Sequence, residues 1–425
     1  MDFIKYYGSM IKKNIDKPNK ARNLLKAGYS LNYKLMDKFP NRKLPPSLQY
    51  LDKICMKYIL EPIKYPDKSA MVNLFAPTEF LHAMNIYPMF VEGISSYLSG
   101  TKCEDGFINY SEKMNIPETL CSYHKAFIGA IQSNVIKSPR FAVTTTIACD
   151  ANANTFRHVR DQLNIDLYII DIPYEYSIEG EEYVAIQLKE MVSMIEDIMH
   201  IKLNENKLKK VLINENASRQ YQLKYMKELS YRYFPNTLTF EMYKLFTSHV
   251  AMGRVETLAF YKKLYEDILT YDKCECTKFL WVHLIPFYQN TLKNYFNNND
   301  KMQLLTSDLS FDYIEKLDVN NPYNAIAKKL ILNHFNGPHC RRAKSILNLA
   351  KILKTDAVIN FCHLGCKQSN GGSMILKKVM EENNIPYLSI DGDAVDRRNS
   401  HDGQLSTRLE AFFEILKNNK GGMKI

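Results

Sequence analysis

Three of the nine cysteines lie where a strand or a helix is predicted to begin or end, namely Cys121, Cys149 and Cys366. The last belongs to the most distinctive run of the chain, residues 358–378, which predicts a buried strand, then a thiol, then a Gly-Gly step into a helix. A thiolate there would face the positive end of that helix and the free N–H groups of its first turn. Thiolates are soft metal ligands, but a buried free cysteine is also an ordinary small apolar residue, and the pattern alone leaves both interpretations open.

The predicted elements would bring these thiols to the edges of parallel sheets. Cys121 begins a helix over 121–136 with apolar residues at helical spacing, and a β-branched strand over 141–147 ends just before Cys149. Strands alternate with helices on both sides of this region, which indicates parallel sheets covered on both faces. Ligands bind at the carboxyl ends of such strands, so we expect Cys149 and Cys366 at the functional edges of two sheets.

The alternation predicts an α/β fold with two doubly wound, parallel-sheet domains, a helical insert and a helical N-terminal extension. The predicted parts are the extension over 1–66, a first α/β domain over 67–180, the helical insert over 181–272 and a second α/β domain over 273–425. Apolar spacing within the insert predicts helices over 183–200, 206–233 and 240–271.

Two histidines and a glutamate are candidate catalytic groups. His363 precedes Cys366 by three residues and would either donate to a bound group or serve as a structural histidine. His124 lies one helical turn after Cys121 and would face the same cleft. Glu79 opens the first helix of the first α/β domain, where a helix N-terminal carboxylate is the expected role and proton transfer is the alternative.

The residues around the Gly-Gly step form a candidate cofactor-binding turn. Gly371 and Gly372 would let the backbone approach a bound group closely. Lys367 and Gln368 would orient that group or merely cap the turn. Cys362 is the competing thiol of this run, and strand geometry lets it point into the sheet, so we interpret it as a core residue.

Composition limits the class of protein. An odd number of cysteines, nine, in a 425-residue chain argues against a disulfide framework. No CxxC pair occurs, and the closest pair, Cys274 and Cys276, is predicted to lie in a solvated loop. The net charge is +10, but acidic residues interleave with the lysines and no recognition motif accompanies them, so we expect no nucleic-acid partner. Neither a bilayer-spanning run nor a signal-like start is found, which predicts a cytoplasmic protein without a membrane partner.

Five motifs in this order resemble the 2-hydroxyacyl-CoA dehydratase family, whose relatives include benzoyl-CoA reductase subunits and double-cubane cluster proteins. They are Ala-Pro-Thr-Glu-Phe-Leu-His at 76–82, Cys-Ser-Tyr-His-Lys-Ala at 121–126, Thr-Thr-Thr-Ile-Ala-Cys-Asp-Ala at 144–151, Gly-Cys-Lys-Gln at 365–368, and Gly-Asp-Ala-Val-Asp-Arg-Arg-Asn at 392–399 with the helix that follows it. Each motif is short, and the resemblance rests on all five occurring in the same order as in the family.

The resemblance implies an iron–sulfur cluster held by Cys121, Cys149 and Cys366, either a [4Fe–4S] cluster or half of a double-cubane [8Fe–9S] cluster, and no flavin. Three thiolates would leave one iron free for water or substrate. It further implies a lyase that removes water from an (R)-2-hydroxyacyl-CoA by a radical route to give a 2-enoyl-CoA. One electron would come from an ATP-hydrolysing iron–sulfur activator. The other expected partners are an acyl-CoA and either a homologous subunit or a second copy of this chain.

Two alternatives to the dehydratase stay open at this point. One is a double-cubane reductase of small molecules, and the other is a non-catalytic chain that carries a cluster for a partner. The sequence names neither the acyl group nor the choice between a homodimer and a heterodimer.

Overall fold

The computed structural model of the protein describes residues 2–419, and two four-stranded parallel sheets form its framework. The strands are β1 Ser69–Val72, β2 Tyr87–Phe90, β3 Phe141–Thr145, β4 Asp166–Ile170, β5 Thr277–Val282, β6 Met302–Ser307, β7 Ala357–His363 and β8 Tyr387–Gly392. The first sheet has the order β2-β1-β3-β4 and the second β6-β5-β7-β8, with every neighbouring pair parallel. The two sheets share one strand order, and the predicted α/β class is confirmed.

Eighteen α-helices lie within the described residues. They are α1 Phe3–Lys12, α2 Pro18–Lys38, α3 Pro46–Lys64, α4 Thr78–Ala83, α5 Val91–Gly100, α6 Glu104–Lys113, α7 Ser122–Gln132, α8 Asp150–Leu163, α9 Ile178–Met199, α10 Glu205–Leu229, α11 Leu238–Ser248, α12 Val255–Ile268, α13 Asn290–Phe296, α14 Pro322–Leu332, α15 His339–Ile352, α16 Lys367–Asn370, α17 Ser373–Glu382 and α18 Asp402–Asn419. None of these described helices is both long and apolar enough to cross a bilayer.

The helical extension forms α1 to α3, and the insert contributes α9 to α12. Helix α3 packs against α2, α11 and α12, so the extension lies on the insert and not apart from it. Pro18 and Pro46 each stand at the first position of a helix, where the fixed φ of proline is suitable and its missing N–H has no partner to lose. The domain limits drawn from the sequence stay a prediction.

Residues 240–271 form two helices, α11 and α12, and the predicted single helix is wrong. Gly253 lies between them with φ +87°, a left-handed conformation that residues with a Cβ rarely adopt. A Cβ at this position would stand 2.5 Å from the Cγ1 of Val211 in α10. The chain turns here so that α12 packs on α10, and the apolar periodicity runs across the turn because both helices bury one face. The sequence pattern did not predict helices α5 and α6.

The central strands of both sheets are fully enclosed. All residues of β3 and β7 are buried, as expected for parallel strands with helices on both faces. Polar residues are therefore conspicuous in these strands, above all His363, which is 0 % exposed at the end of β7. Buried polar groups are usually hydrogen-bonded, so the partners of His363 are of interest.

The loop after β8 joins the second sheet to the first. Asp393 accepts a hydrogen bond from Ser122 Oγ, at the start of α7, at 2.5 Å. Arg397 forms an ion pair with Glu104 in α6. These contacts hold the carboxyl edges of the two sheets close together, which is where the predicted cysteines lie.

Candidate functional site

Cys121, Cys149 and Cys366 line one cavity between the carboxyl edges of the two sheets. The volume of this cavity is about 80 Å³, which is smaller than the roughly 300–1,000 Å³ of pockets that enclose a whole small-molecule ligand. Besides the cysteines, the lining includes Glu92, His124, His283 and Gln368. The structure thus brings together thiols from two sheets that are far apart in sequence.

Each cysteine stands immediately before a helix. Cys121 precedes α7, Cys149 precedes α8 and Cys366 precedes α16. The latter two follow β3 and β7, the third strands of their sheets, so the shared strand order places them at matching positions. Gly365 brings two of these loops into contact: its φ is +78°, and a Cβ there would lie 2.8 Å from the backbone nitrogen of Cys121. A larger residue would push the loops apart.

His363, a predicted site residue, directs its imidazole from the second sheet to Cys121. Its Nδ1 accepts the backbone N–H of Ala394 at 3.1 Å, so the proton of the neutral ring is on Nε2. The carboxylate of Asp393 is 3.8 Å from Nδ1, beyond hydrogen-bond range. Nε2 lies 3.2 Å from the Sγ of Cys121. Burial lowers the pKa of His363, which keeps the ring a neutral N–H donor to sulfur.

His283 is a second imidazole donor at the cavity, and it is absent from the sequence-based candidates. It follows β5 directly, has φ +78°, and places Nε2 3.2 Å from the Sγ of Cys366. The sequence does contain one indication of this residue, because His283 is a polar residue at the carboxyl end of the apolar run that predicts β5. An apolar run with one histidine does not by itself indicate a site, because such a residue is usually a core histidine with a local partner.

His124, predicted to face the cleft, is the third imidazole beside a cysteine and lines the cavity together with His283. Its Nε2 is 4.0 Å from the Sγ of Cys149, at the outer limit of an N–H···S contact. Its buried Nδ1 has no hydrogen-bond partner among the described residues. Burial lowers the pKa of His124 to about 4. Each thiol therefore has an imidazole beside it, but only His283 and His363 are held at both nitrogens.

Glu92 is the second residue that sequence reasoning missed. It lies in the first turn of α5, just past the carboxyl end of β2. Its Oε1 accepts the N–H of Leu74 at 3.4 Å, while its buried Oε2 has no partner within residues 2–419. Desolvation raises the pKa of Glu92 to about 7. A carboxyl of this kind in a cavity exchanges protons near neutral pH.

The thiols of Cys121 and Cys149 are predominantly protonated without a cation, because burial raises the pKa of Cys121 well above its ordinary value and that of Cys149 to about 12. Within residues 2–419 no group of three or more His, Cys, Asp or Glu is spaced for a single metal ion. Thiolates on one zinc ion stand about 4 Å apart, because each Zn–S bond is about 2.3 Å. A cuboid cluster binds each thiolate at a different iron, so its ligands stand further apart than those of one zinc ion.

Glu79, the third catalytic candidate, does not line the cavity. Its carboxylate accepts a hydrogen bond from Lys329 Nζ at 2.5 Å, and Lys329 also reaches Glu215 at 2.8 Å. Glu79 is on α4, Lys329 on α14 and Glu215 on α10, so this buried pair of carboxylates around one ammonium connects three helices that are far apart in sequence. The arrangement favours a structural role for Glu79 over proton transfer.

The predicted cofactor-binding turn is only partly at the cavity. Gln368 belongs to the lining, whereas Lys367, Gly371 and Gly372 do not. A Cβ at Gly372 would overlap the imidazole of His339 in α15, so close packing of helices accounts for this glycine without a bound group. The Gly-Gly step begins α17, while Cys366 precedes the separate short helix α16.

Cys362, interpreted as core, is 6 % exposed and is not part of the lining. Its sulfur contacts Ser389 Oγ at 3.1 Å and Asn360 Nδ2 at 3.4 Å. Successive residues of a strand point to opposite faces, so Cys362 faces away from the cavity that its neighbour His363 reaches. This thiol is a matched control for experiments on the other three.

Comparison with known proteins gives a consistent set of relatives. The family model described as 2-hydroxyglutaryl-CoA dehydratase, D-component, matches residues 73–416. The chain is 22% identical over 366 residues to the (R)-phenyllactyl-CoA dehydratase alpha subunit of Clostridium sporogenes, covering 80% of this chain and 87% of that protein. It is 21% identical over 381 residues to the lactoyl-CoA dehydratase subunit alpha of Anaerotignum propionicum, covering 81% and 89%. The (R)-phenyllactyl-CoA dehydratase beta subunit of Clostridium sporogenes is 21% identical over 381 residues, covering 85% and 95%.

Proposed function

The chain belongs to the 2-hydroxyglutaryl-CoA dehydratase D-component family, and we propose that it is the iron–sulfur subunit of an enzyme that dehydrates an (R)-2-hydroxyacyl-CoA to a 2-enoyl-CoA. The observation that carries the proposal is the convergence of Cys121, Cys149 and Cys366 on one cavity. Imidazole nitrogens lie 3.2 to 4.0 Å from their sulfurs. Three thiols with imidazoles beside them, two of which are held as N–H donors, suit an anionic cluster that has one iron without a protein ligand.

The bound cluster would supply one-electron chemistry and a Lewis-acid iron. The protein's own part is proton transfer, and Glu92 is the group placed for it. Elimination breaks the C2–O and C3–H bonds and forms a C2=C3 double bond, with no net change in electrons. Glu92 Oε2 would accept the C3 proton, and the resulting carboxyl would return it to the departing hydroxyl, so that water leaves. A pKa near 7 suits both directions of transfer.

The walls of the cavity would exclude water from this chemistry. Leu74, Phe75, Leu309 and Phe335 contribute apolar surface to the lining. An apolar wall strengthens the electrostatic interactions inside and shields reactive intermediates from solvent. The cavity remains open at one side, which is where we place the entry of the acyl-CoA.

A second subunit and an activator complete the proposed enzyme. Both alpha and beta subunits of dehydratases are among the relatives, so we propose that this chain pairs with a homologous subunit. The one-electron donor would be an ATP-hydrolysing iron–sulfur protein. A net charge of +10 favours binding of the coenzyme A phosphates.

The proposal is tested by reconstituting the chain anaerobically with iron and sulfide and assaying it with its partner subunit, an activator and ATP. We expect 2-enoyl-CoA, detected by mass spectrometry, from an (R)-2-hydroxyacyl-CoA but not from the (S) enantiomer or without ATP. A cluster-bearing complex that forms no enoyl product from any of a panel of short, branched and aromatic acyl groups would refute the dehydratase activity. A sulfide content above the iron content would indicate the double-cubane alternative.

A further inference from the structure

Three side chains, Asp308, Arg342 and His283, form a hydrogen-bonded chain that ends on the sulfur of Cys366. We propose that they are a positioning relay, which fixes His283 as an Nε2–H donor to Cys366 and so raises the reduction potential of a cluster bound there. The effect on potential rests on the proposed function. The protonation pattern of His283 is a property of the chain itself and is tested separately.

Asp308 anchors the relay at the end of β6. Its Oδ1 accepts the backbone N–H of His283 at 2.7 Å. Its Oδ2 accepts a hydrogen bond from Arg342 Nε at 3.0 Å and forms an ion pair with Nη2 of the same guanidinium at 2.9 Å. Asp308 is 0 % and Arg342 2 % exposed, so the pair is desolvated and removal of either partner would leave a buried charge.

Arg342 determines which nitrogen of His283 carries the proton. A guanidinium has only donors, and its Nη2 lies 3.3 Å from Nδ1 of His283. Nδ1 must therefore accept, and the single proton of the neutral ring is on Nε2, 3.2 Å from the Sγ of Cys366. The guanidinium carbon stacks 3.9 Å from the centre of the Phe335 ring, which prevents Arg342 from moving away.

The backbone of His283 also needs this support. Its φ of +78° is uncommon for a residue with a Cβ. Besides the bond from its N–H to Asp308, its carbonyl accepts a hydrogen bond from Ser307 Oγ at 2.9 Å. Two residues at the end of β6 thus hold the turn in which the imidazole faces the cavity.

A donor fixed on a ligand sulfur has a defined electrochemical consequence. Hydrogen bonds to cluster sulfurs are one of the means by which a protein sets reduction potential, and a positive N–H dipole stabilises the reduced, more negative form. Residues behind a ligand's hydrogen-bond partner commonly fix its orientation. Without Arg342, the Nδ1 of His283 would be free to carry the proton, and the bond to Cys366 would be lost.

The first test uses the cluster-free chain. With ¹⁵N-labelled histidine, two-bond N–H correlation spectra distinguish an Nε2–H ring from an Nδ1–H ring, and His283→Gln identifies the signals. We expect an Nε2–H tautomer for His283 in the wild type and a change in Arg342→Met. The signals of His363, whose Nδ1 is held by a backbone N–H, should not change and serve as an internal control. An Nδ1–H tautomer in the wild type overturns the inference whether or not the chain binds iron.

The second test uses the reconstituted chain and a redox titration followed by electron paramagnetic resonance. Arg342→Met should shift the midpoint potential to a more negative value at unchanged iron content, and Arg342→Lys, which keeps a donor and the charge for Asp308, should shift it less. If the tautomer of His283 changes in a variant but the midpoint potential does not, the claim that the relay raises the reduction potential is overturned. If Arg342→Met does not fold, the tautomer of His283 is still determined from the spectra of the wild type and of Arg342→Lys. A chain that takes up no cluster at all refutes the proposed function and not the tautomer.

Discussion

Glu92 and Asp308 follow β2 and β6, the second strands of two sheets with the same strand order. Each accepts a backbone N–H from the loop after the first strand, Glu92 from Leu74 at 3.4 Å and Asp308 from His283 at 2.7 Å. The second oxygen of Asp308 is paired with Arg342, whereas that of Glu92 has no partner within residues 2–419. The same position in the fold thus anchors a loop in the second sheet and leaves a carboxyl free in the first.

The two thiols after the third strands differ in the same way. Cys366 has His283 at 3.2 Å, and Cys149 has His124 at 4.0 Å with an unpartnered Nδ1. The second sheet holds its sulfur with a fixed donor. The first leaves both a carboxyl and an imidazole unfixed, and we therefore place the substrate beside the first sheet.

The largest effect is expected from Glu92→Gln, which removes the exchangeable carboxyl but keeps its shape. Turnover should fall by about 100-fold or more, the typical contribution of a general acid–base group, while iron content stays unchanged. Glu79→Gln is the control, because that buried glutamate does not line the cavity; turnover of its folded fraction should be unchanged. Full turnover in Glu92→Gln would remove the carboxyl from the mechanism.

Asp308→Asn should lower the free energy of unfolding. Arg342 would keep its charge in a buried place without a counterion, which costs about 3–5 kcal/mol in comparable cases. Urea denaturation of the cluster-free chain measures this as a lower midpoint of the transition that involves the second sheet. Under the same conditions, Glu92→Gln should lose little free energy of unfolding. An equal loss of stability in the two variants would show that Asp308 and Glu92 do not differ in their contribution to the fold.

The pH dependence of stability distinguishes Glu92 further. Its pKa in the folded chain is about 7, above the ordinary 4.5, so between these values the folded state keeps a proton that the unfolded state has released. Stability therefore falls as pH rises through this window and levels off above it. Relative to Glu92→Gln, the cluster-free wild type should lose at most about 3 kcal/mol between pH 4.5 and 8. A difference between the two proteins that does not vary with pH would contradict the raised pKa.

The smallest effect concerns the imidazoles. His283→Phe removes a 3.2 Å contact to sulfur and His124→Phe a 4.0 Å contact, and hydrogen bonds weaken steeply with distance. The midpoint potential should shift further negative in the first variant than in the second. A larger shift for His124→Phe would mean that the first sheet, and not the second, fixes the potential.

Local patterns predicted the parts of the site that depend on neighbours in sequence. Strands β3 and β7, and the positions of Cys149 and Cys366 before helices, follow from apolar runs and the residues that end them. Because parallel strands end at one edge, the meeting of thiols from two sheets was also predictable.

The missed features depend on contacts distant in sequence. Glu92 lies in a helix that the pattern did not predict. The role of His283 requires Arg342, 59 residues away, and the break at Gly253 follows from packing on Val211. No local spacing contains this information, since tertiary packing decides it.

Iron and sulfide analysis of serine variants, after anaerobic reconstitution, tests the central claim that both sheets contribute thiols to one cluster. Cys149→Ser from the first sheet and Cys366→Ser from the second should each lose most of the iron, as should Cys121→Ser. Cys362→Ser, with a buried thiol on the opposite face of β7, should keep it. Full iron in Cys149→Ser or Cys366→Ser, or an equal loss in Cys362→Ser, would contradict the shared site.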